Sequence, residues 1–350
     1  MSYELVKRLS ESGEFEIDVV TMGYKDLPRY EELNPQLRVH RVPCLRSKKE
    51  LSHPWEQATY LVSAYFKVRG LLKKQTYDIC HCHFIIPTGF LALKLKNEFG
   101  LPYILTAHGS DVLGYNQRFR HLYPFLVGSW KKILLGAQVL ISPSQFLKQE
   151  VLKVFPAFST QSIQVIPNGF DSATFAPKEK KKWIFSSGRL LINKGFQYLI
   201  QAVSEKDIGY EVHIAGDGPM RQELETLAKK SKTPIIFHGW LENKSGVYRD
   251  LLESSAIYVL ASEKENASIS LLEAMAAGCA VITTNATGCA ETVGSAGALF
   301  TPNNDKELAQ RIEELVLDPK KLQTLQHEAR ERIQVAFDWD LVISKYRTLL

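Results

Sequence analysis

Two basic residues in a glycine-flanked turn are the first candidates for chemistry. Arg189 and Lys194 follow a strand-like apolar run and lie between Gly188 and Gly195. An arginine grips an anion with its planar guanidinium fork and a lysine with a compact point charge, so the two side chains could converge on one phosphate-bearing group. Solvated loop charges are the alternative, and this turn alone leaves both interpretations open.

A second candidate follows the strand-like run that ends at Ala261. The chain there passes through a polar loop, and its pattern predicts a short helix that begins between Ser268 and Ser270 and ends at Gly278. In an open parallel sheet such a helix starts at the carboxyl edge, where its free N–H groups and positive dipole end favour a diphosphate. Ser270 and Glu273 also have the Ser-x-x-Glu spacing of a capping box, which would be purely structural. The spacing alone does not decide between these interpretations.

A third turn, Gly216-Asp-Gly218, has glycines that allow a close approach of the backbone. It lacks the third glycine of the dinucleotide fingerprint, because Arg221 stands at that position. A nicotinamide cofactor is therefore not expected.

Two short motifs have residue types that bind metals. Cys80-His-Cys-His83 lies in a strand-like run whose alternate residues point to opposite faces, which argues against one shared ion. Asp338-Trp-Asp340 precedes the last helical segment, where Asp338 has the place of an N-cap. We expect no metal at either motif.

Composition bounds the class of protein. The chain has 350 residues, of which 45% are hydrophobic and 23% charged, and this predicts two domains and excludes a disordered or fibrous protein. It has no apolar run of about 18 residues, and its first residues lack the apolar core of a signal peptide. The five cysteines are odd in number and mostly scattered, which favours a reducing compartment. The expected location is the cytoplasm.

The formal net charge of +5 is unevenly distributed. Residues 1–165 carry 21 Lys and Arg against 14 Asp and Glu, whereas residues 166–350 carry 22 against 24. A basic first half suits an anionic surface, either nucleic acid or phospholipid. The segment Arg118–Ile133 mixes aromatic and cationic residues as interfacial segments do, although a core helix with solvated cations fits it equally. Since no aromatic signature of nucleic-acid binding is present, the expected partner is the inner face of an anionic membrane and not nucleic acid.

Short apolar runs alternate with helical patterns along the chain, which predicts βαβ units and parallel sheets. The predicted strands are Ile17–Thr21, Tyr103–Thr106, Gln138–Ser142, Trp183–Ser187, Glu211–Ala215, Ile257–Ala261 and Ala280–Thr284. The predicted helices are Gly89–Phe99, Phe196–Val203, Met220–Lys230 and Asp305–Leu317. Turn residues at Pro167–Asp171 and a charge run at Pro177–Lys182 interrupt the alternation, so a domain boundary is predicted there.

In chain order, these segments resemble one family, the retaining, nucleotide-sugar-dependent glycosyltransferases of the GT-B class usually called family 4. The matching motifs are His83 with Pro87 and Gly89, Thr106–Asp111, Ile141–Ser144, Ile166–Asp171, Gly188–Gly195, Gly216–Pro219, Glu265–Gly278 and Thr287–Glu291. The resemblance implies an α/β fold of two Rossmann-like domains whose parallel sheets face each other across a cleft. It places an N-terminal, acceptor-side domain at 1–168, a linker at 169–182, a nucleotide-sugar-binding domain at 183–336 and a terminal helix at 337–350.

The resemblance also implies a role for each matching residue. Arg189 and Lys194 would stabilise the leaving diphosphate, which is electrostatic catalysis, and Glu265 would face the transferred sugar. His108 would lie near that sugar from across the cleft, with a plain strand-ending histidine as the alternative. The implied donor-binding residues are Gly188, Gly216, Gly218, Ile269, Ser270 and Glu273, and among these Glu273 would accept hydrogen bonds from the ribose. Asp111 and Asn168 are expected on the acceptor side. No metal or cofactor is expected besides the nucleotide-sugar co-substrate.

The chain departs from the family pattern in two places. Asn266-Ala-Ser268 replaces the common Gly-Phe-Gly and bears on the donor sugar's identity. The chain also opens inside what resembles the family's first helix, Glu4–Leu9, so that the first strand and its glycine-rich turn are missing. That strand would lie in the middle of the N-terminal sheet, beside Phe15–Thr21 and Tyr77–His83. We therefore expect a truncated version of a longer product, with a marginal N-terminal half and weak transfer.

The expected function is metal-independent transfer of a sugar from a nucleoside-diphosphate donor to a lipid-linked or saccharide acceptor, with retained configuration. The alternative is a nucleotide-sugar-binding GT-B protein that lacks transferase activity because the N-terminal segment is absent. A third hypothesis is an epimerase, which would act on a nucleotide-sugar without any acceptor.

Overall fold

The chain divides into two α/β units in a computed structural model that describes residues 2–46, 53–115, 123–158, 162–176 and 178–350. The first unit comprises Met1–Pro143, Leu147–Ile166 and Ile343–Leu350, and the second comprises Ser144–Phe146 and Pro167–Val342. Pro177 and the segment 118–122, on which parts of the boundary and membrane predictions fall, lie outside the described residues.

The first half of the chain supplies the elements of unit 1. Its strands are β1 (Ile17–Met22), β2 (Tyr30–Asn34), β3 (Leu37–Val42), β4 (Cys80–His83), β5 (Tyr103–Thr106), β6 (Leu140–Ser142) and β7 (Ile163–Val165). Its helices are α1 (Ser2–Glu11), α2 (Pro54–Leu72), α3 (Thr88–Phe99), α4 (Tyr123–Gly136) and α5 (Gln145–Val154). The strands form two sheets, in the orders β1-β3-β2 and β4-β5-β6-β7. All pairs are parallel except β2 with β3.

The core of unit 1 lies on the β4–β7 sheet. Every residue of β5 and β6 is buried. Trp130 and Ile133 of α4 are fully buried against this sheet. Gly89 of α3 leaves room for the Ile133 side chain, because an added Cβ would lie 2.5 Å from Ile133 Cγ2.

The second half supplies the elements of unit 2. Its strands are β8 (Lys181–Ser187), β9 (Glu211–Ala215), β10 (Ile235–Gly239), β11 (Ser255–Leu260), β12 (Ala280–Thr284) and β13 (Gly297–Phe300). Its helices are α6 (Phe196–Ser204), α7 (Arg221–Ala228), α8 (Gly246–Ser254), α9 (Ile269–Ala276), α10 (Gly288–Val293), α11 (Asp305–Leu317) and α12 (Pro319–Ala336); α13 (Trp339–Arg347) follows. The strands form one parallel sheet in the order β10-β9-β8-β11-β12-β13.

Both faces of the unit 2 sheet are covered by hydrophobic side chains. Phe185 and Tyr258 contribute to one cluster, and Ile184 and Ile257 to the other. Burial on both faces explains why β11 and β12 contain the continuous apolar runs Ala256–Leu260 and Ala280–Ile282 instead of an alternating pattern. The predicted α/β fold class is confirmed.

The predicted elements agree with the structure apart from their ends. Four have the predicted bounds: Tyr103–Thr106, Glu211–Ala215, Ala280–Thr284 and Asp305–Leu317. Four predictions were wrong at their first residues, since the structure begins β6 at Leu140, β8 at Lys181, β11 at Ser255 and α3 at Thr88. The long Met220–Lys230 prediction was wrong at both ends, because Met220 and Lys229 only cap the helix. Such terminal residues are set by capping and tertiary contacts and not by periodicity.

The sheets of unit 1 end where the sequence predicts a gap. Among the described residues, β1 pairs with β3 and β4 pairs with β5, and no strand pairs with the other edge of either. These are the two strands expected to flank the strand that the family pattern places first.

The Cys80–His83 motif forms strand β4, and Asp338 caps the last helix, as the sequence predicted. In β4, the sulfurs of Cys80 and Cys82 lie 3.7 Å apart, and the rings of His81 and His83 form a separate contact with centroids 4.6 Å apart. The backbone N–H of Asp340 donates to Asp338 Oδ1 at 2.8 Å, so that Asp338 caps α13. The described part of the chain contains no group of three or more His, Cys, Asp or Glu placed to hold an ion. None of its helices meets the length and apolarity that crossing a bilayer requires.

Candidate functional site

The strand order of unit 2 creates a crevice at the carboxyl ends of its central strands. From β8 the chain adds β9 and β10 on one side, and β11, β12 and β13 on the other. This reversal is a topological switch point, where parallel sheets bind their ligands. A pocket of about 200 Å³ lies there, lined by residues that follow β8, β9, β10 and β11 and by the start of α9.

Glycines allow the turn that carries Arg189 to pack tightly. Gly216 follows β9 with a φ of +153°, and an added Cβ would overlap the carbonyl oxygen of Gly188. Gly218 has a φ of +156° and would place a Cβ 2.6 Å from the Leu190 carbonyl oxygen. The glycines therefore approach the backbone on both sides of Arg189. Gly188 and Gly216 line the pocket, whereas Gly218 packs against the backbone of Leu190 and is not part of the lining.

Lys194 reaches the pocket from the turn before α6. Gly195, with a φ of +73°, follows it and packs against the carbonyl of Ala261 at the end of β11. Lys194 Nζ forms a short ion pair with Glu265 Oε1, and the two side chains are 21% and 20% exposed. Arg189 and Lys194 both line the pocket, and their role in holding a diphosphate stays a prediction. Two cations and one carboxylate thus share its wall.

The start of α9 also faces this pocket. Ser268 is its N-cap residue, with extended backbone and no side-chain cap hydrogen bond, and its hydroxyl lies 2.9 Å from that of Ser270. Both serines line the pocket, so the helix N-terminus opens towards it. The capping-box alternative for Ser270 and Glu273 is wrong: the helix begins at Ile269, and Ser270 lies inside its first turn.

Glu273 does not itself line the pocket but contacts Tyr248, which does, and it belongs to a buried polar network. Its side chain is 8% exposed, and the Tyr248 hydroxyl donates to its Oε2 at 2.7 Å. Burial raises the pKa of Glu273, while hydrogen bonds from Tyr248 and Asn243 oppose that shift. The Tyr258 hydroxyl lies 3.0 Å from Ser187 Oγ, and burial raises the pKa of Tyr258 to about 12. Ser187 Oγ also lies 3.4 Å from the Tyr248 hydroxyl, so that a chain of hydroxyl groups leads from Tyr258 to the Glu273 carboxyl group.

Several lining residues were missed by sequence reasoning. They are Ser187, Trp240, Leu241, Asn243, Tyr248, Ser262 and Ser268. Trp240 and Leu241 directly follow β10, so the rule that ligands bind beyond strand ends could have found them if β10 had been predicted. Trp240 is 59% exposed despite its size. Tyr248 lies on α8, and no local signal in the sequence connects it with Glu273.

The loop Asn266–Ser268, which departs from the family pattern, is held by packing within unit 2. Asn266 is 8% exposed and its side-chain oxygen accepts a hydrogen bond from Ser144 Oγ. Its backbone carbonyl packs against Gly288, where a Cβ would overlap it. Asn168 donates to the carbonyl of Ala267 at 3.3 Å, so it lies beside the same loop. An acceptor contact of Asn168 stays a prediction.

Unit 1 contains the other two predicted site residues, His108 and Asp111. Asp111 is 5% exposed and accepts backbone N–H bonds from Ile85 at 2.7 Å and His108 at 2.9 Å. This geometry fixes the loop, and burial raises the pKa of Asp111. His108 Nε2 lies 3.1 Å from His83 Nδ1. Burial lowers the pKa of His108, which favours a neutral imidazole.

Two family models match the chain. One, described as Glycosyltransferase Family 4, matches residues 1–174, and the other, described as Glycosyl transferases group 1, matches residues 169–332. The two matches meet near the boundary between the units.

Individual proteins are similar over almost the whole chain. N-acetyl-alpha-D-glucosaminyl L-malate synthase of Bacillus anthracis is 27% identical, over 99% of this chain and 91% of its own length. Sucrose-phosphate synthase from Thermosynechococcus elongatus has a TM-score of 0.80 at 21% identity and covers 99% of this chain and 90% of its own. The Anabaena protein HepE in complex with UDP-glucose has a TM-score of 0.72 at 17% identity and covers 95% of this chain and 100% of its own. The similarity in structure shows a shared fold.

Proposed function

The chain belongs to the family 4 glycosyltransferases with the GT-B fold, and from this premise we propose that it transfers a sugar from a nucleoside-diphosphate donor with retention of configuration. One observation carries the proposal. Arg189, Lys194 and the N-terminus of α9 border the same pocket at the switch point of the unit 2 sheet. Each favours an anion, and together they suit a diphosphate.

The same groups can stabilise the departing diphosphate. Negative charge grows on the leaving group as the bond to the sugar breaks, and donors already in place need no reorganisation to meet it. Glu265 holds Lys194 at the pocket wall through their ion pair. A bound diphosphate would compete with that carboxylate for Lys194, which leaves Glu265 able to accept hydrogen bonds from the transferred sugar.

Glu273 is proposed to bind the ribose of the donor. Its carboxyl group contacts Tyr248, which lines the pocket and whose hydroxyl donates a hydrogen bond to one of its oxygens. A carboxylate in this position can accept hydrogen bonds from ribose hydroxyls. The likeness to HepE, which was solved with UDP-glucose, supports a uridine diphosphate sugar as the donor to test first.

The acceptor is proposed to be a saccharide or a lipid-linked sugar, and retention follows from the family resemblance. A peripheral contact with anionic membrane is part of the proposal. On α4, Phe125 is 82% exposed, and Lys131 and Lys132 follow on the same helix. Aromatic and cationic side chains together suit an anionic interface.

The direct test begins with binding. At a free concentration 100 times its Kd, a donor should stabilise the folded protein by about 2.7 kcal/mol, which a thermal-shift screen of nucleotide-sugars detects. The donors found there are then offered, radiolabelled, with a membrane extract or saccharides as acceptors, and the anomeric configuration of the product is read by NMR.

Each outcome of this test distinguishes between hypotheses. Stabilisation by a nucleoside diphosphate together with retained product supports the proposal. Stabilisation without any product favours the binding protein, and conversion of the donor sugar without acceptor favours an epimerase. If no nucleoside diphosphate stabilises the protein, the diphosphate site is refuted.

A further inference from the structure

The segment that follows strand β10 forms one wall of the pocket in unit 2. Trp240, Leu241 and Asn243 belong to this segment and line the pocket. Among the described strands, only β9 pairs with β10, which is the outermost strand of its sheet. An edge strand has backbone groups on one side without a ladder partner. Side-chain contacts therefore contribute more to fixing where this wall lies.

The pairing of β10 with β9 changes register just before the wall begins. Phe237 lies opposite Ile214. Gly239 lies opposite Ala215, the next residue of β9, so that His238 is one residue extra. Gly239 then has a left-handed backbone, with a φ of +69°. An extra residue of this kind is a β-bulge, which bends its strand and re-aims the side chains around it.

The extra residue is bonded to β9 through its side chain. His238 Nε2 lies 2.9 Å from His213 Nδ1, and the two rings stack with an interplanar angle of 17°. His213 Nε2 faces the other way, 3.4 Å from Glu211 Oε2. Because a carboxylate only accepts hydrogen bonds, the proton of His213 belongs on Nε2, and Nδ1 then accepts from His238 Nε2–H. We call His213 and His238 the histidine pair.

Packing fixes one member of the histidine pair. His213 is 4% exposed, and the ring of Trp183 lies 4.4 Å from its ring. Lys181 Nζ lies 4.0 Å from the centre of the Trp183 ring. Burial lowers the pKa of His213 and of His238, which favours two neutral rings with one donor facing one acceptor. His213 is thus an anchor in the sheet that holds the less buried His238.

The wall is anchored at both of its ends. At the first end, Gly239 follows the histidine pair, and its carbonyl accepts a hydrogen bond from Gly216 N–H at 2.7 Å. Gly216 itself lines the pocket. At the other end, Ser245 is the N-cap residue of α8, and its hydroxyl accepts a backbone hydrogen bond from the first turn of that helix at 3.2 Å. Residues 239–244 between these anchors therefore depend on the position of the bulge.

We propose that His213 and His238 are positioning residues for the donor, because their hydrogen bond holds the bulge of β10 and thereby places Trp240 and Leu241 against the nucleoside part of the nucleotide-sugar. Neither Trp240 nor Leu241 carries a charge, so this wall suits the nucleoside and not the diphosphate. The inference rests on the proposed function, which assigns the donor to this pocket. Neither histidine lines the pocket. Loss of their bond should therefore weaken donor binding and leave turnover at saturating donor unchanged.

The test removes each side of the bond by itself. His213→Leu and His238→Leu should each raise the Kd of the nucleoside diphosphate and the KM of the donor about 2- to 10-fold, because ordering the wall then costs about as much as one neutral hydrogen bond. The value of kcat should stay that of the parent. His238→Gln keeps an N–H near the position of Nε2 and should restore most of the affinity. His327→Leu, at a side chain that is 73% exposed on α12, is the matched control and should bind as the parent does.

Two further measurements separate this inference from the proposed function. Hydrogen exchange at the Gly216 amide, which bonds to Gly239 beside the bulge, should be faster on the order of fivefold in both leucine variants and unchanged in His327→Leu. The double leucine variant should bind no more weakly than either single variant, because both changes remove the same bond. Parent-like exchange, additive losses of affinity, or a loss of kcat instead of affinity would each overturn the inference while donor binding by the parent persists. A parent that binds no nucleoside diphosphate would instead refute the proposed function, and the inference with it.

Discussion

Replacement of Glu273 by glutamine separates a donor-binding carboxylate from a structural one. The side chain keeps its shape, and the Tyr248 hydroxyl, now 2.7 Å from Oε2, can still donate to the remaining oxygen. What is lost is a negative acceptor for the ribose. Hydrogen bonds to charged groups contribute about 1.5–3 kcal/mol, and every 1.4 kcal/mol is tenfold in affinity, so the nucleoside diphosphate should bind about 10- to 150-fold more weakly.

The free energy of unfolding should be unchanged or higher in Glu273→Gln than in the parent. Burial raises the pKa of Glu273, so ionisation of this carboxyl group destabilises the folded protein. This cost grows as the pH rises from the ordinary carboxyl pKa through the raised one, and glutamine avoids it. Glu273→Gln should therefore melt at the same temperature as the parent or higher at neutral pH.

The assay is isothermal titration with the nucleoside diphosphate at several pH values. In the parent, affinity should fall as the pH drops through the raised pKa of Glu273; in Glu273→Gln it should be weak and independent of that ionisation. Glu205→Gln, at an exposed helix end, is the matched control and should leave affinity unchanged. Equal affinities of the parent and Glu273→Gln would refute the ribose-binding assignment.

Four further predictions concern other parts of the molecule. Arg189→Ala or Lys194→Ala should each lower turnover on the order of 100-fold with little change in folding, and unchanged turnover in both would contradict the diphosphate site. Gly216→Ala should destabilise unit 2 by about 1–3 kcal/mol in denaturant titrations, because its Cβ overlaps a carbonyl at a positive φ, and parent-like stability would contradict this packing. Burial lowers the pKa of His81 to about 4, so stability should be lost as the pH falls from about 6.5 towards 4, and His81→Gln should flatten that loss. Phe125→Ser should reduce salt-sensitive sedimentation with anionic vesicles; sedimentation that is absent or insensitive to salt in the parent would contradict membrane contact.

Much of the architecture followed from local patterns. The alternation of short apolar runs with helical periodicity predicted α/β structure because buried parallel strands must be apolar on both faces. The turn glycines and the position of α9 were also predictable, because the conformation of a turn and the start of a helix depend on a few neighbouring residues. The ordered motifs were specific enough to identify the family, which the family models confirm.

Residue pairs distant in sequence were decided only by tertiary structure. Tyr248 and Glu273 contact each other because α8 and α9 pack on the same sheet, and Lys194 meets Glu265 across 71 positions. The register of β8 against β11 sets which strand ends share the pocket, and no local pattern specifies that register. Sequence by itself determined which segments form strands, helices and turns, since those depend on neighbours along the chain. Only the folded sheet decided which side chains share a pocket, because strand order brings together residues whose local sequences carry no information about one another.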